Sequence, residues 1–194
     1  MVPDTLMRSL KARYDEPQRH YHTWAHIQAL LAHFELIKDQ LFDPVAVLFA
    51  LYWHDAIYDP QAPDNEEKSA ELLRAETADL IDADTLEAAA QIIRATKSHQ
   101  VPHGLSDSRE SDLKLFLDMD LSILATPPDV FAQYDADIRA EYSFVPIDAY
   151  KSGRSAVLSG FLERERLYFS DHFYDRWEQL ARRNLQSSIA DLAA

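Results

Sequence analysis

The stretch Val47 to Pro60, VLFALYWHDAIYDP, begins as an apolar helix and ends in histidine, aspartate, tyrosine and aspartate. His54 falls on one face with Val47, Ala50, Leu51 and Tyr58, at three- and four-residue steps, so it is predicted to point inward. Asp55 stands about 100° further round the helix and can reach the same point from the side. The dipeptide alone carries little weight, because this composition yields about one His-Asp pair by chance. Two other segments repeat the anomaly. Asp120 interrupts a stripe of Leu113, Phe116, Leu117 and Leu124, and His26 opens a face that continues through Leu30 and Ile37. A carboxylate among leucines is costly unless it is paired or binds a metal. His26, His54, Asp55 and Asp120 are therefore the candidate metal ligands. Imidazole with carboxylate suits a divalent transition ion (Mn, Fe, Co, Ni or Zn), with Mg a further option, one ion or two.

These residues need elements to carry them. A first helix is predicted over Thr5 to Tyr14 and a second over Thr23 to Gln40. A third is capped by Asp43, starts at Pro44 and runs to about Ile57. Asp64 can cap NEEKSAELLRAETADL, and Asp82 or Asp84 can cap TLEAAAQIIRATKSH. Further helices are expected near Arg109 to Leu124, in TPPDVFAQYDADIRAEY, in PIDAYKSGRSAVLSGFLERERLYF and from Asp171 on. Only three glycines occur, no Asn-Gly or Asp-Gly hairpin signal is present, and alternating β-branched runs are missing. The expected fold is all-α, a single-domain helical bundle over residues 1–194, with the metal-site core at roughly 20–125. The helices of 127–190 would complete it. The loops 58–64 and 100–108 are the natural rim of a site.

Composition removes several function classes. A formal charge of −14 argues against a nucleic-acid polymer and against adsorption to anionic membranes. It leaves room for a small anionic substrate, because a bound cation can reverse the local field. The absence of cysteine excludes disulfides and thiolate chemistry. With no apolar signal core and no run of membrane-span length, the chain is expected to be cytoplasmic. A homo-oligomer stays open.

The order His26, His54-Asp55, Asp120, all on helices, resembles the HD superfamily of metal-dependent phosphohydrolases. YHTWAH (21–26) is similar to the YHNxxxH element of cyclic-nucleotide phosphodiesterases, with Thr23 in place of asparagine. DLS (120–122) looks like the element that holds their last metal-binding aspartate. Over nearly the whole chain the pattern resembles small bacterial predicted HD phosphohydrolases, through HDAIYD, DNE, DMDLSIL and the IRAEY and GRSAVLSGFL segments. The resemblance implies an HD-type bundle and a metal held by His26, His54, Asp55 and Asp120. It implies His22 as general acid, Asp55 as the base on a metal-activated water, and hydrolysis of a phosphate ester of a nucleotide or another small phosphorylated metabolite. Whether a monoester or a diester is cut stays open. The alternative is a non-catalytic nucleotide- or metal-binding sensor on the same fold.

Other candidates surround this set. Asp118 lies on another helical face from Asp120 and reads as a supporting or capping carboxylate. His99 ends a helix and could bind phosphate or a second metal, or simply favour the helix end. Glu66 is a possible catalytic group in a helix first turn, or a helix-start carboxylate. Tyr58 and Asp59 follow the HD pair and are expected at the mouth. Tyr21, Trp24, Tyr58 and Phe144 could stack on a base. Among the cations Lys68, Lys97, Arg139, Lys151 and Arg154, the phosphate-binding candidates are Arg139 and Arg154. Arg182, Arg183 and Asn184 are expected only to pack. A zincin reading of His22 and His26 fails because Thr23 replaces the glutamate of HExxH. A serine-hydrolase reading fails because Ser159-Gly160 lacks the glycine-flanked elbow.

Overall fold

Asp43 accepts a hydrogen bond from Ala46 N (2.9 Å) and Pro44 follows it, so α3 starts where the sequence predicts and covers Pro44–Trp53. The computed structural model describes residues 2–193. Before α3 come α1 (Asp4–Tyr14), α2 (Trp24–Ile37) and a 3-10 turn at 38–40. After it come α4 (Asn65–Thr77), α5 (Ala83–Thr96) and α6 (Asp107–Asp120), then a 3-10 turn at 121–125. The last helices are α7 (Pro128–Glu141), α8 (Ile147–Leu162) and α9 (Asp171–Ala193). Among the described residues no strand occurs, and the fold is all-α. No described helix is long and apolar enough to cross a membrane.

The chain groups into two compact units, one ending at Met119 and the other running from Asp120 on. In the first unit α5 packs on both α3 and α4, and its Ala88, Ala89 and Ala90 are all buried. Ile27, Trp53 and Ile93 are fully buried in the same unit, as are Leu30, Val47, Leu51, Phe116 and Leu117, which periodicity places inward. In the second unit α9 packs on α8 and on the 121–125 turn. Asn184 donates to the carbonyls of Leu124 and Thr126, both at 2.9 Å, and Arg182 donates to those of Leu162, Arg164 and Glu165. Arg183 is exposed.

Several helices end short of expectation, α2 at Ile37, α4 at Thr77, α5 at Thr96 and α8 at Leu162, and for α3 the reason is visible. α3 stops at Trp53, not near Ile57, because its last carbonyls are taken by other donors. Leu51 O accepts from His54 Nδ1 (3.0 Å), Tyr52 O from Tyr14 Oη (3.0 Å) and Trp53 O from Ala56 N (3.0 Å). α6 likewise gives way to a 3-10 turn after Asp120, short of Leu124. Asp82, rather than Asp84, caps α5, its carboxylate accepting from the amides of Asp84 and Thr85. Asp64 precedes α4 without a capping bond and pairs instead with Lys68 at 2.9 Å.

The start of α3 depends on a carboxylate from another helix. Asp112 on α6 is buried and accepts from Phe42 N (2.9 Å) and Asp43 N (2.7 Å). Burial pushes its carboxyl up, and the two amides pull in the other direction. Asp112→Ala strands both amides and should lower stability by about 2 kcal/mol in urea denaturation at neutral pH. Asp112→Asn, which keeps an acceptor, should lose less.

Candidate metal centre

His26 sits in the first turn of α2, held there by the bond from its amide to Thr23 O (3.1 Å). His54 caps the end of α3, Asp55 follows in the turn, and Asp120 is the last residue of α6. His26, His54 and Asp120 are all buried, and each offers a ligand atom within 4.8 Å of the other two. His26 Nε2 and His54 Nε2 stand 3.1 Å apart. Asp55 Oδ2 lies 3.0 Å from His54 Nε2 and 3.8 Å from His26 Nε2. Helix ends that are far apart in sequence thus deliver His26, His54 and Asp120, which periodicity marked as inward, and Asp55 reaches the same point from the adjoining turn.

The tautomers sharpen this. Leu51 O can only accept, so His54 Nδ1 carries the hydrogen at 3.0 Å and a neutral His54 presents a bare Nε2 lone pair. That lone pair faces a carboxylate oxygen and a second imidazole nitrogen. Such atoms repel at these separations unless a proton or a cation lies among them. Around an ion with ligand distances of about 2.1 Å, neighbouring ligand atoms stand roughly 3.0 to 3.4 Å apart at octahedral to tetrahedral angles. Two of the three observed separations fall in or beside that span, so the donor set fits a divalent ion. Tyr21 Oη lies 3.2 Å from His26 Nδ1 and holds the other imidazole by its far side. Burial by itself would push the Asp55 carboxyl up, but the His54 imidazole, and then His22 and His26, hold it well below the usual carboxylate range. Asp118, two residues before Asp120, is fully buried on α6.

The remaining predicted residues divide into two sets. His22 is half-buried, stacks on Tyr58 with ring centroids 4.3 Å apart, and is near enough to act on the Asp55 charge. Asp59 is exposed, and its Oδ1 accepts from Gln61 N (2.9 Å) while Asn65 binds its backbone, so it shapes the 58–64 loop. Glu66 is half-buried in the first turn of α4. Lys97 ties the end of α5 to Pro63 O. His99 lies just past α5 with φ at 48°, a left-handed conformation at the helix end, where its amide donates to Ala95 O (2.9 Å).

Arg139 and Arg154 belong to the second unit and are committed there. Arg139 donates to Tyr142 O (2.6 Å) at the end of α7 and lies over the Tyr150 ring. Arg154 pairs with Asp135 (2.6 Å) and lies over the Tyr134 ring, with its side chain nearly buried. Their phosphate-binding expectation has no support in these contacts, because both guanidiniums pin α7 to its own surroundings. Lys151 is half-buried on α8, and Phe144 is exposed in the same unit. Trp24 stacks on Tyr52. A cleft of about 730 Å³ lies among Phe42, Ala88, Ile92, Arg109 and Leu113 and takes in none of the four ligand candidates.

Sequence reasoning passed over Arg19 and saw Tyr21 only as a stacking ring. Neither carries a periodic signal, since both sit in the polar turn before α2. Comparisons with protein-family models, with curated proteins and with solved structures find no match to this chain.

Ligation requires unprotonated imidazole, and an ordinary histidine titrates near about 6.5. Added Mn²⁺ or Zn²⁺ should therefore raise the melting temperature at pH 7.5 and lose that effect by pH 5.5. His54→Ala should abolish the shift at pH 7.5. Differential scanning fluorimetry with and without EDTA reads each outcome.

Proposed function

We propose that this chain is a metal-dependent phosphohydrolase of the HD type, acting on a phosphate ester of a nucleotide or similar small metabolite. The observation that carries the reading is the meeting of His26 Nε2, His54 Nε2 and Asp55 Oδ2 within 3.8 Å, with Asp120 beside the imidazoles. A divalent ion on these residues supplies a lowered water pKa and a polarised phosphoryl oxygen. The protein's own groups do the rest. Asp55 stays ionised at neutral pH, orients the attacking water and receives its proton as the new P–O bond forms. His22, held against Tyr58, gives a proton to the ester oxygen as its bond to phosphorus breaks. The burial of His26 and His54 keeps competing solvent from the ligand side of the centre.

The resemblance read from YHTWAH and HDAIYD supports the same chemistry, and the comparisons neither add to it nor oppose it. The test is a screen of phosphomonoesters and of linear and cyclic nucleotides with Mn²⁺, Co²⁺, Ni²⁺ or Mg²⁺. Hydrolysis should appear with at least one metal, and Asp55→Ala should reduce it by about 10³-fold or more, the loss expected when water activation and proton transfer fail together. Stoichiometric metal with no hydrolysis of any ester would favour the sensor reading instead. Activity that survives Asp55→Ala unchanged would place the chemistry elsewhere.

A further inference from the structure

Arg19 lies in the turn between α1 and α2, and its side chain has no exposed surface. Nη1 donates to Asp55 O (2.7 Å) and to His22 O (3.2 Å), and Nη2 donates to Ala56 O (3.2 Å). Nε donates to the Glu16 carboxylate at 3.1 Å. The guanidinium carbon sits 5.1 Å from the Tyr14 ring centroid and 5.3 Å from that of Tyr58. One buried cation therefore joins the segment leading into His26 to the turn that carries His54 and Asp55.

We infer that Arg19 is the positioning residue of the metal centre, fixing the HD turn against the turn that precedes α2. The inference rests on the metal reading above. Asp55 is held at both ends, its carbonyl by Arg19 and its carboxylate beside His54 Nε2 (3.0 Å). Metal sites require ligands placed to within about 0.5 Å, so a loosened turn weakens the site even when every ligand remains. The planar fork takes the carbonyls of Asp55 and Ala56 on two separate nitrogens, together with that of His22. Lysine keeps the charge and loses the fork.

A matched control exists in the same chain. Arg182 donates to three carbonyls and, through Nε, to Glu178 at 2.7 Å, and none of these partners is a ligand candidate. Visible-absorption titration with Co²⁺ gives both affinity and ligand geometry, and circular dichroism reports folding. Arg19→Lys should weaken Co²⁺ binding by about 10- to 100-fold and change the shape of the Co²⁺ bands. Glu16→Ala, which removes the partner of Nε, should weaken it several-fold. Arg182→Lys should lower the melting temperature and leave Co²⁺ affinity and bands as in the wild type. A folded Arg19→Lys with wild-type affinity and bands overturns the inference, as does an equal loss in Arg182→Lys. If Arg19→Lys does not fold, Glu16→Ala decides, and wild-type binding there overturns it. Wild-type protein that fails to bind Co²⁺ removes the metal reading itself and this inference with it.

Discussion

Lone pairs of like character cannot be gathered in a protein interior without a positive charge among them. His26 Nε2, His54 Nε2 and Asp55 Oδ2 are gathered in this way, with the Asp120 carboxylate alongside. Burial raises the stakes, because the field of each group is screened less than in water. The His54 imidazole, and then His22 and His26, already hold the Asp55 carboxyl low. A divalent ion held by these residues would supply such a positive charge. Much of the surrounding structure serves to hold these atoms where they would otherwise move apart.

The holding is done through backbone carbonyls. A helix that runs on hides its carbonyls in its own ladder, and α3 does not run on. Its final turn turns those acceptors outward to Tyr14, to the His54 ring and to Ala56, and Arg19 takes the carbonyls of Asp55 and Ala56 beyond it. The same bonds that end the helix set the His54 tautomer and fix Asp55. Local structure and site chemistry are therefore one set of contacts in this region. Asp112 does comparable work at the other end of α3, where its carboxylate receives the amides of Phe42 and Asp43.

The legible and illegible parts of this chain separate along physical lines. Helical periodicity placed His26, His54 and Asp120 inward, because a face is a local property and three- to four-residue spacing records it. Caps were readable for the same reason at Asp43, and nearly so at Asp82, where two aspartates competed within one turn. The end of α3 was not readable, since one of the donors that take its last carbonyls, Tyr14, lies 38 residues earlier. Arg139 and Arg154 looked available for phosphate because a sequence does not record that Tyr142, Asp135 and two tyrosine rings already engage them. Arg19 itself was invisible, as an arginine in a polar turn normally points to solvent.

His54 closes α3 and Asp120 closes α6, so two helices direct their carboxyl ends at the cluster, while only α2 opens there with His26 in its first turn. Aligned peptide dipoles place about half a negative charge at each carboxyl end and half a positive charge at an amino end. The backbone thus adds a net negative potential to that of Asp55 and Asp120, within a chain of formal charge −14. A phosphate meets repulsion at such a centre until a cation is in place. On the proposed chemistry, a cation held by these residues would offset that potential for an anionic ester.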